Sequence, residues 1–215
     1  MLTPDEVIKL LDLKPLPQEG GFFRETWRSS ESIPARGLPG RYAGPRSFGT
    51  AIYYLLTPGV FSALHRLPGD EVFHFYLGDP VSMLQLHPGG RSEEVTLGPD
   101  ITNGQQVQVI VPAGTWQGMH LKEGGRTQNT ERNVAKPQQR VKRAAGTTAN
   151  AELSGSSEFS VQGSLFCVHP VRFALLGTTI APGYDPADYE AADPQRLIQD
   201  YPDRRDLILH LTQPR

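Results

Sequence analysis

Two glycines, an imidazole and a carboxylate stand at fixed intervals in PGVFSALHRLPGDEVFHFYLG: Gly59, five residues, His65, one residue, Leu67, three residues, Glu71, six residues, Gly78. Apolar and polar residues alternate on either side of Pro68-Gly69-Asp70, which predicts two strands joined by a tight turn. Period-two alternation puts Phe61, Ala63, His65 and Leu67 on one face of the first strand. It puts Glu71, Phe73 and Phe75 on one face of the second, with His74 and Tyr76 opposite. Both polar groups can then reach the interior of one small barrel, which makes this stretch a site as well as a fold element.

A shorter echo follows in VIVPAGTWQGMHL, where Pro112 and Gly114 form a turn that delivers Gln117 onto a strand. Three polar side chains are therefore expected to converge. The surrounding chain supports a β fold: extended segments are predicted at about 22–28, 47–56, 60–67, 71–77, 81–87 and 92–97, separated by Gly and Pro. Short strands at this density indicate a sandwich or barrel. Thr3, Pro4 and Glu6 read as a capping-box helix start, and Asp193-Pro194 opens C-terminal helices in which Leu207, Ile208 and Leu211 repeat at helical spacing. These short terminal helices are expected to pack outside the barrel.

Two stretches lack strand periodicity. Residues 29–46 read as a surface loop that can lie across a barrel mouth as a lid. The stretch at about 124–162 is rich in Arg, Lys, Gln, Asn, Thr and Ser and too poor in large apolar residues to build a core, so it reads as a flexible insert. Its Arg132, Lys136, Arg140, Lys142 and Arg143 lack interleaved aromatics and read as a solvated loop. Strands are expected to resume at 164–168 and 172–176, giving a single domain over residues 1–215 interrupted by the insert.

A net charge of −2 provides no basic field for nucleic-acid phosphates, and no apolar run reaches the roughly 18 residues of a membrane span. The start MLTPDEVIKLL lacks a basic leader followed by an apolar core, which points to the cytoplasm. Cys167 is the only cysteine, so no intrachain disulfide forms, and SLFCVHP reads as a buried strand.

The spacings around His65, Glu71 and Gln117 resemble the two motifs of the cupin superfamily, whose double-stranded β-helix (jelly-roll) barrel commonly holds a metal on three histidines and a glutamate. Leu67 stands at the position of the second histidine, Gln117 at that of the third and Leu121 at that of a motif asparagine, so the ligand set is incomplete. EGGFFRETWRS, TAIYYLLTPGVFSALHRLPGDEVFHFYLGDP, VPAGTWQG and TTIAPGYDPADYE are similar to the single-domain cupins called the cupin-five family. The resemblance implies an all-β cupin barrel with short terminal helices, a homodimer and a pocket for a small polar molecule, but no settled reaction.

Against that frame His65 is a candidate base or metal ligand, and Glu71 its carboxylate partner, which must be paired, hydrogen-bonded or protonated if buried. Gln117 is a neutral amide suited to orienting a hydroxyl or carbonyl and a poor metal ligand. In GGFFRETWRS, Arg24 and Glu25 cannot both point inward; Arg24 is a candidate clamp for an anionic group and Glu25 an alternative contact. Phe73 and Trp116 are candidate pocket walls. His74 joins the site only if a bulge turns it inward, and His120 falls on the face opposite Gln117. Asp185, Asp188 and Glu190 read as turn and helix-start acids.

Three functions stay open on these residues. SALH also resembles the strand that carries the base histidine of deoxysugar 3,5-epimerase cupins, implying a sugar or nucleotide-sugar isomerase or epimerase with His65 as base. A second is metal chemistry, with iron, manganese or nickel on His65, Glu71 and either Gln117 or His74. A third is binding of a small molecule without turnover.

Overall fold

The computed structural model describes residues 2–122 and 172–213. The insert expected at about 124–162, its basic residues, the strand expected at 164–168 and Cys167 all lie outside the described residues.

The chain starts with helix α1 (Pro4–Leu10) and the capping box read from its sequence. Thr3 Oγ1 accepts from the Glu6 backbone N–H, and Glu6 Oε2 accepts from the Thr3 N–H at 2.8 Å. Then come β1 (Lys14–Pro15), β2 (Phe22–Arg28), β3 (Ser32–Ile33), β4 (Arg46–Ser47), β5 (Thr50–Leu56), β6 (Phe61–Arg66) and β7 (Asp70–Gly78). They are followed by β8 (Val81–Leu86), β9 (Ser92–Leu97), β10 (Gln108–Val111), β11 (Trp116–Leu121), β12 (Ala174–Ala181) and β13 (Glu190–Ala191), with α2 (Pro194–Asp200) and α3 (Arg205–His210) at the end.

Among the described residues, one sheet runs β1-β2-β5-β12-β7-β10 and a second runs β13-β6-β11-β8-β9; β3 and β4 pair separately. The registered pairs are antiparallel, and the two sheets face each other as in a jelly roll. Alternate residues of both sheets meet in the interior. Tyr54, Phe73 and Leu176 come from one sheet, and Val81, Met83 and Met119 from the other. Each such fully buried side chain contributes about 1.5–3 kcal/mol, so this layer dominates the barrel's stability. The outer face of the first sheet is covered by α1 through Val7, Leu13, Leu55 and Leu175. The outer face of the second is covered by the C-terminal helices through Leu64, Leu84, Leu197, Ile208 and Leu211.

Strand β6 departs from the regular alternation read from its sequence. Against β11, His65 lies opposite Gln117 while Ser62 lies opposite Met119, so two steps on β11 match three on β6. This extra residue turns Ser62 to the same side as His65. Phe61 instead packs with Leu64 and the C-terminal helices, so Phe61 does not share the face of His65 as alternation predicts.

Residues 29–46, expected as a loop, contain the short strands β3 and β4 and a helical turn at Ala35–Gly37. The segment is fastened to the Pro68-Gly69 turn, because Arg41 Nε donates to the Pro68 carbonyl at 2.6 Å and Tyr42 is buried beside it. The two motif turns are fastened to each other as well. Gly114 N–H donates to the Leu67 carbonyl at 2.8 Å, and Ala113 N–H to Asp70 Oδ1 at 2.8 Å. These bonds fix the strand ends from which Glu71 and Gln117 project.

Candidate functional site

His65, Glu71 and Gln117 meet inside the barrel. Each is buried, with 1%, 4% and 0% of its surface exposed. His65 Nδ1 lies 2.7 Å from the Ala63 carbonyl, an acceptor that only an N–H can satisfy, so the proton sits on Nδ1 and Nε2 keeps its lone pair. Gln117 Nε2 is 2.9 Å from His65 Nε2 and 3.3 Å from Glu71 Oε2, and its two N–H groups donate to both. The opposite end of that amide, Gln117 Oε1, is buried without a hydrogen-bond partner among the described residues. An orphaned acceptor there costs about 1–3 kcal/mol, which a hydroxyl donor from a guest or a water would recover.

A fourth side chain, Glu19, joins them from the loop between β1 and β2. Its backbone carbonyl accepts from Ala63 N–H at 2.7 Å, and its Oε1 accepts from Ser62 Oγ at 2.7 Å. Its Oε2 is 3.9 Å from His65 Nε2, an ion pair once the imidazole takes a second proton. Gly20 and Gly21 make this delivery possible. Both have positive φ, and a Cβ on Gly21 would lie 2.6 Å from the Leu55 carbonyl. Glu19 is absent from the residues expected at the site; its signal in the sequence is an acid directly before two glycines.

Two tyrosines from the segment between β12 and β13 cover the cluster. Tyr189 stacks on His65 with ring centroids 4.9 Å apart, and its hydroxyl donates to the Gln18 carbonyl at 3.2 Å. Tyr184 is held by Thr50, whose Oγ1 accepts from its N–H at 3.0 Å. The segment is pinned by Arg46, which grips Asp188 through Nε at 2.8 Å and Nη2 at 2.5 Å. Asp188 is thus an ion-pair partner rather than a simple turn acid.

Burial pushes the Glu71 carboxyl up to about 7, and the neighbouring Glu19 charge adds to the rise; His65 and the Gln117 hydrogen bond oppose it. Because the folded value exceeds the unfolded one, near 4.5, folding favours the protonated acid. That contribution is complete below about pH 4.5 and is lost as pH rises through about 7. Glu71→Gln, which cannot ionise, is therefore expected to be more stable than the parent at pH 8, by up to about 3 kcal/mol, with little difference at pH 4. Urea unfolding at the two pH values measures this; an unchanged pH slope in the variant would contradict the assignment.

The remaining candidates lie elsewhere. Phe73 is buried in the interior layer beside the cluster. Arg24 lies over the Tyr53 ring, 5.6 Å from its centroid, opposite Tyr53 on the outward side of β2. Glu25 is exposed and paired with Arg28, and a register shift follows it in the strand. Trp116 packs on the outer face beneath the Arg66 guanidinium. His74 is turned outward, 3.2 Å from Gln108 Nε2, and His120 meets His210 of α3. Neither histidine is brought to the cluster.

These residues do not suit the metal that cupin barrels often carry. Leu67 replaces one donor, and Gln117 turns N–H groups toward His65 and Glu71 where a ligand would present a lone pair. Among the described residues no group of three His, Cys, Asp or Glu is arranged to hold an ion.

Facing sheets of jelly-roll order with motif positions 65, 71 and 117 turned inward define a cupin barrel. The model of the Cupin_5 family, described as cupin superfamily (DUF985), matches residues 5–192, and the chain belongs to this family. The uncharacterized protein YML079W of Saccharomyces cerevisiae is 29% identical over 109 residues, which cover 48% of this chain and 54% of that protein. The chain thus spans about half the length of the curated relative it matches. Protein SO0799 from Shewanella oneidensis has the same fold, with TM-score 0.68 and 24% identity over 100% of both chains. A hypothetical protein from Leishmania major superposes with TM-score 0.68 at 23% identity, covering 99% of this chain and 100% of that one.

Proposed function

We propose that this cupin binds a small polar metabolite at its barrel mouth and moves a proton on it, as an isomerase or epimerase of a sugar-like carbonyl compound. The observation that carries the reading is the imidazole of His65. It is fixed with its proton on Nδ1, its Nε2 lone pair is turned inward, and it stands beside a carboxyl that burial pushes up to about 7. A base of this kind is suited to removing a proton from carbon next to a carbonyl. Gln117 then orients the guest through Oε1, and Glu71 holds or releases a proton within the same hydrogen-bonded cluster. No metal takes part in this scheme, since the donor set does not suit one.

Incubation of the protein with sugars, sugar phosphates and nucleotide sugars in D2O tests the reading. Deuterium entering the carbon next to the carbonyl, followed by proton NMR, is the expected result. A guest that binds and is recovered without deuterium would replace isomerisation by simple binding. One observation favours that second reading: Gln117 donates to His65 Nε2, so the lone pair is engaged until a guest displaces the amide.

The homodimer implied by the resemblance belongs to the same proposal. Val107 and Ile110, beside and on the edge strand β10, are exposed apolar groups that a second copy would cover. No described helix is long and apolar enough to cross a membrane.

A further inference from the structure

We propose that the guest of this site is a polyhydroxylated molecule bearing no negative charge, a free sugar or amino sugar rather than a phosphorylated, carboxylated or nucleotide-linked one. The inference rests on the proposed binding site and narrows what enters it.

Acids gather around the cluster, and their charges act on one another. Glu19 faces His65 Nε2, Glu71 lies behind it, and Asp185 and Asp188 sit in the covering segment. Their field registers on Tyr184. Burial raises its hydroxyl to about 12, with Glu19, Glu71, Asp188 and Asp185 each adding to the rise. A phosphate or carboxylate placed beside Tyr184 would meet the same repulsion.

Among the described residues, three arginines beside this segment are already paired with acids, and a fourth is held on a backbone carbonyl. Arg46 is buried in a two-point pair with Asp188. Arg28 grips Glu25 through Nε and Nη2 and spends Nη1 on the Tyr184 carbonyl at 3.0 Å. Arg66 is paired with Glu190 and stacked over Trp116 on the outer face. Arg41 is held on the Pro68 carbonyl and over the Tyr42 ring. Binding an anion tightly calls for an available guanidinium or an array of N–H donors; Arg46, Arg28 and Arg66 offer one only by first breaking an acidic partner, and Arg41, which bonds through Nε alone, is tethered to the Pro68 turn.

What the site does offer suits hydroxyl groups. Gln117 Oε1 is a buried acceptor with no donor among the described residues, and the Glu19 carboxylate is a strong acceptor. Sugar hydroxyls donate to such groups, and an ammonium gains further from the nearby carboxylates.

Matched sets test the inference: glucose, galactose, mannose and ribose, each beside its terminal phosphate, its uronic acid and its 2-amino form. Binding is read by saturation-transfer NMR and competition at pH 7.5. The neutral or amino member of at least one set is expected to bind roughly tenfold or more tightly than its anionic members, with the gap narrowing as salt is raised from about 20 mM to about 300 mM. The Glu19→Gln variant, checked for an unchanged unfolding midpoint, should admit the anionic members severalfold better; if it unfolds, the salt series carries the same test. An anionic member binding as tightly as its neutral counterpart overturns the inference, as does failure of every neutral and amino member to bind at about 10 mM. Deuterium incorporation is scored separately. Selective binding without exchange leaves the charge rule standing and removes only the proton-transfer reading.

Discussion

Replacing His65 by alanine or glutamine is expected to abolish deuterium exchange into the carbonyl compound, a loss of about 10²–10⁴-fold, the range that one positioned base supplies. Two variants are needed because His65 is also structural. Its ring is buried, bonded to the Ala63 carbonyl and Gln117, and stacked on Tyr189. Alanine leaves a cavity and two unmet hydrogen-bonding groups, so a loss of exchange there could reflect loosened packing. Glutamine keeps most of the volume and can donate to Ala63 while accepting from Gln117, yet it cannot take up a proton near neutral pH. Loss of exchange in a folded His65→Gln protein therefore isolates the base, and parental exchange in that protein would remove His65 from the reaction.

The motif spacing and the alternation of β7 were enough to bring Glu71, Phe73 and Phe75 to the interior and to turn His74 away from it. The Pro-Gly turn before Gln117 was likewise legible, because both motif turns are short and chemically explicit. Regular alternation failed on β6, where one inserted residue turned Ser62 inward and Phe61 outward. A bulge of this kind carries no compositional mark in SALH. The same limit applies to Arg24 and Glu25: alternation said that only one faces inward, but the register shift after Glu25 and its pairing with Arg28 decide where each ends.

Glu19, Tyr184 and Tyr189 were harder still, since each comes from a connection rather than a strand. Glu19 reaches His65 because Gly20 and Gly21 bend the chain and Tyr54 Oη holds the Gly20 carbonyl at 2.9 Å. Local sequence signals the bend but not its destination. Tyr189 meets His65 only because β13 pairs with β6, placing Ala191 opposite His65. The acids of that segment had an adequate local explanation as turn formers, which hid the long-range pairing of Asp188 with Arg46. Pairing across the whole barrel is set by the packed sheets, and a single sequence read in short windows does not contain it.

That pairing carries the largest expected effect on stability. Arg46 and Asp188 are 5% and 9% exposed at their side chains and joined at two points, and Arg46 Nη1 also donates to the Pro45 carbonyl at 2.9 Å. Truncating Arg46 to alanine leaves Asp188 buried, charged and unpaired, and such a loss costs about 3–5 kcal/mol. For a chain of this size each kcal/mol lowers the melting temperature by about 2–4 °C, so a fall of at least about 6 °C is expected. Removing both charges in Arg46→Met/Asp188→Leu should recover much of it, because the penalty lies in the stranded charge rather than in the missing attraction. The covering segment supplies a second readout. With Asp188 released, the peptide bonds around Pro186–Tyr189 should become cleavable by protease under native conditions, while the apolar layer holding Phe73, Met83 and Met119 keeps the barrel intact. A melting temperature within about 2 °C of the parent, together with unchanged proteolysis, would show that the pair does not hold the segment over His65.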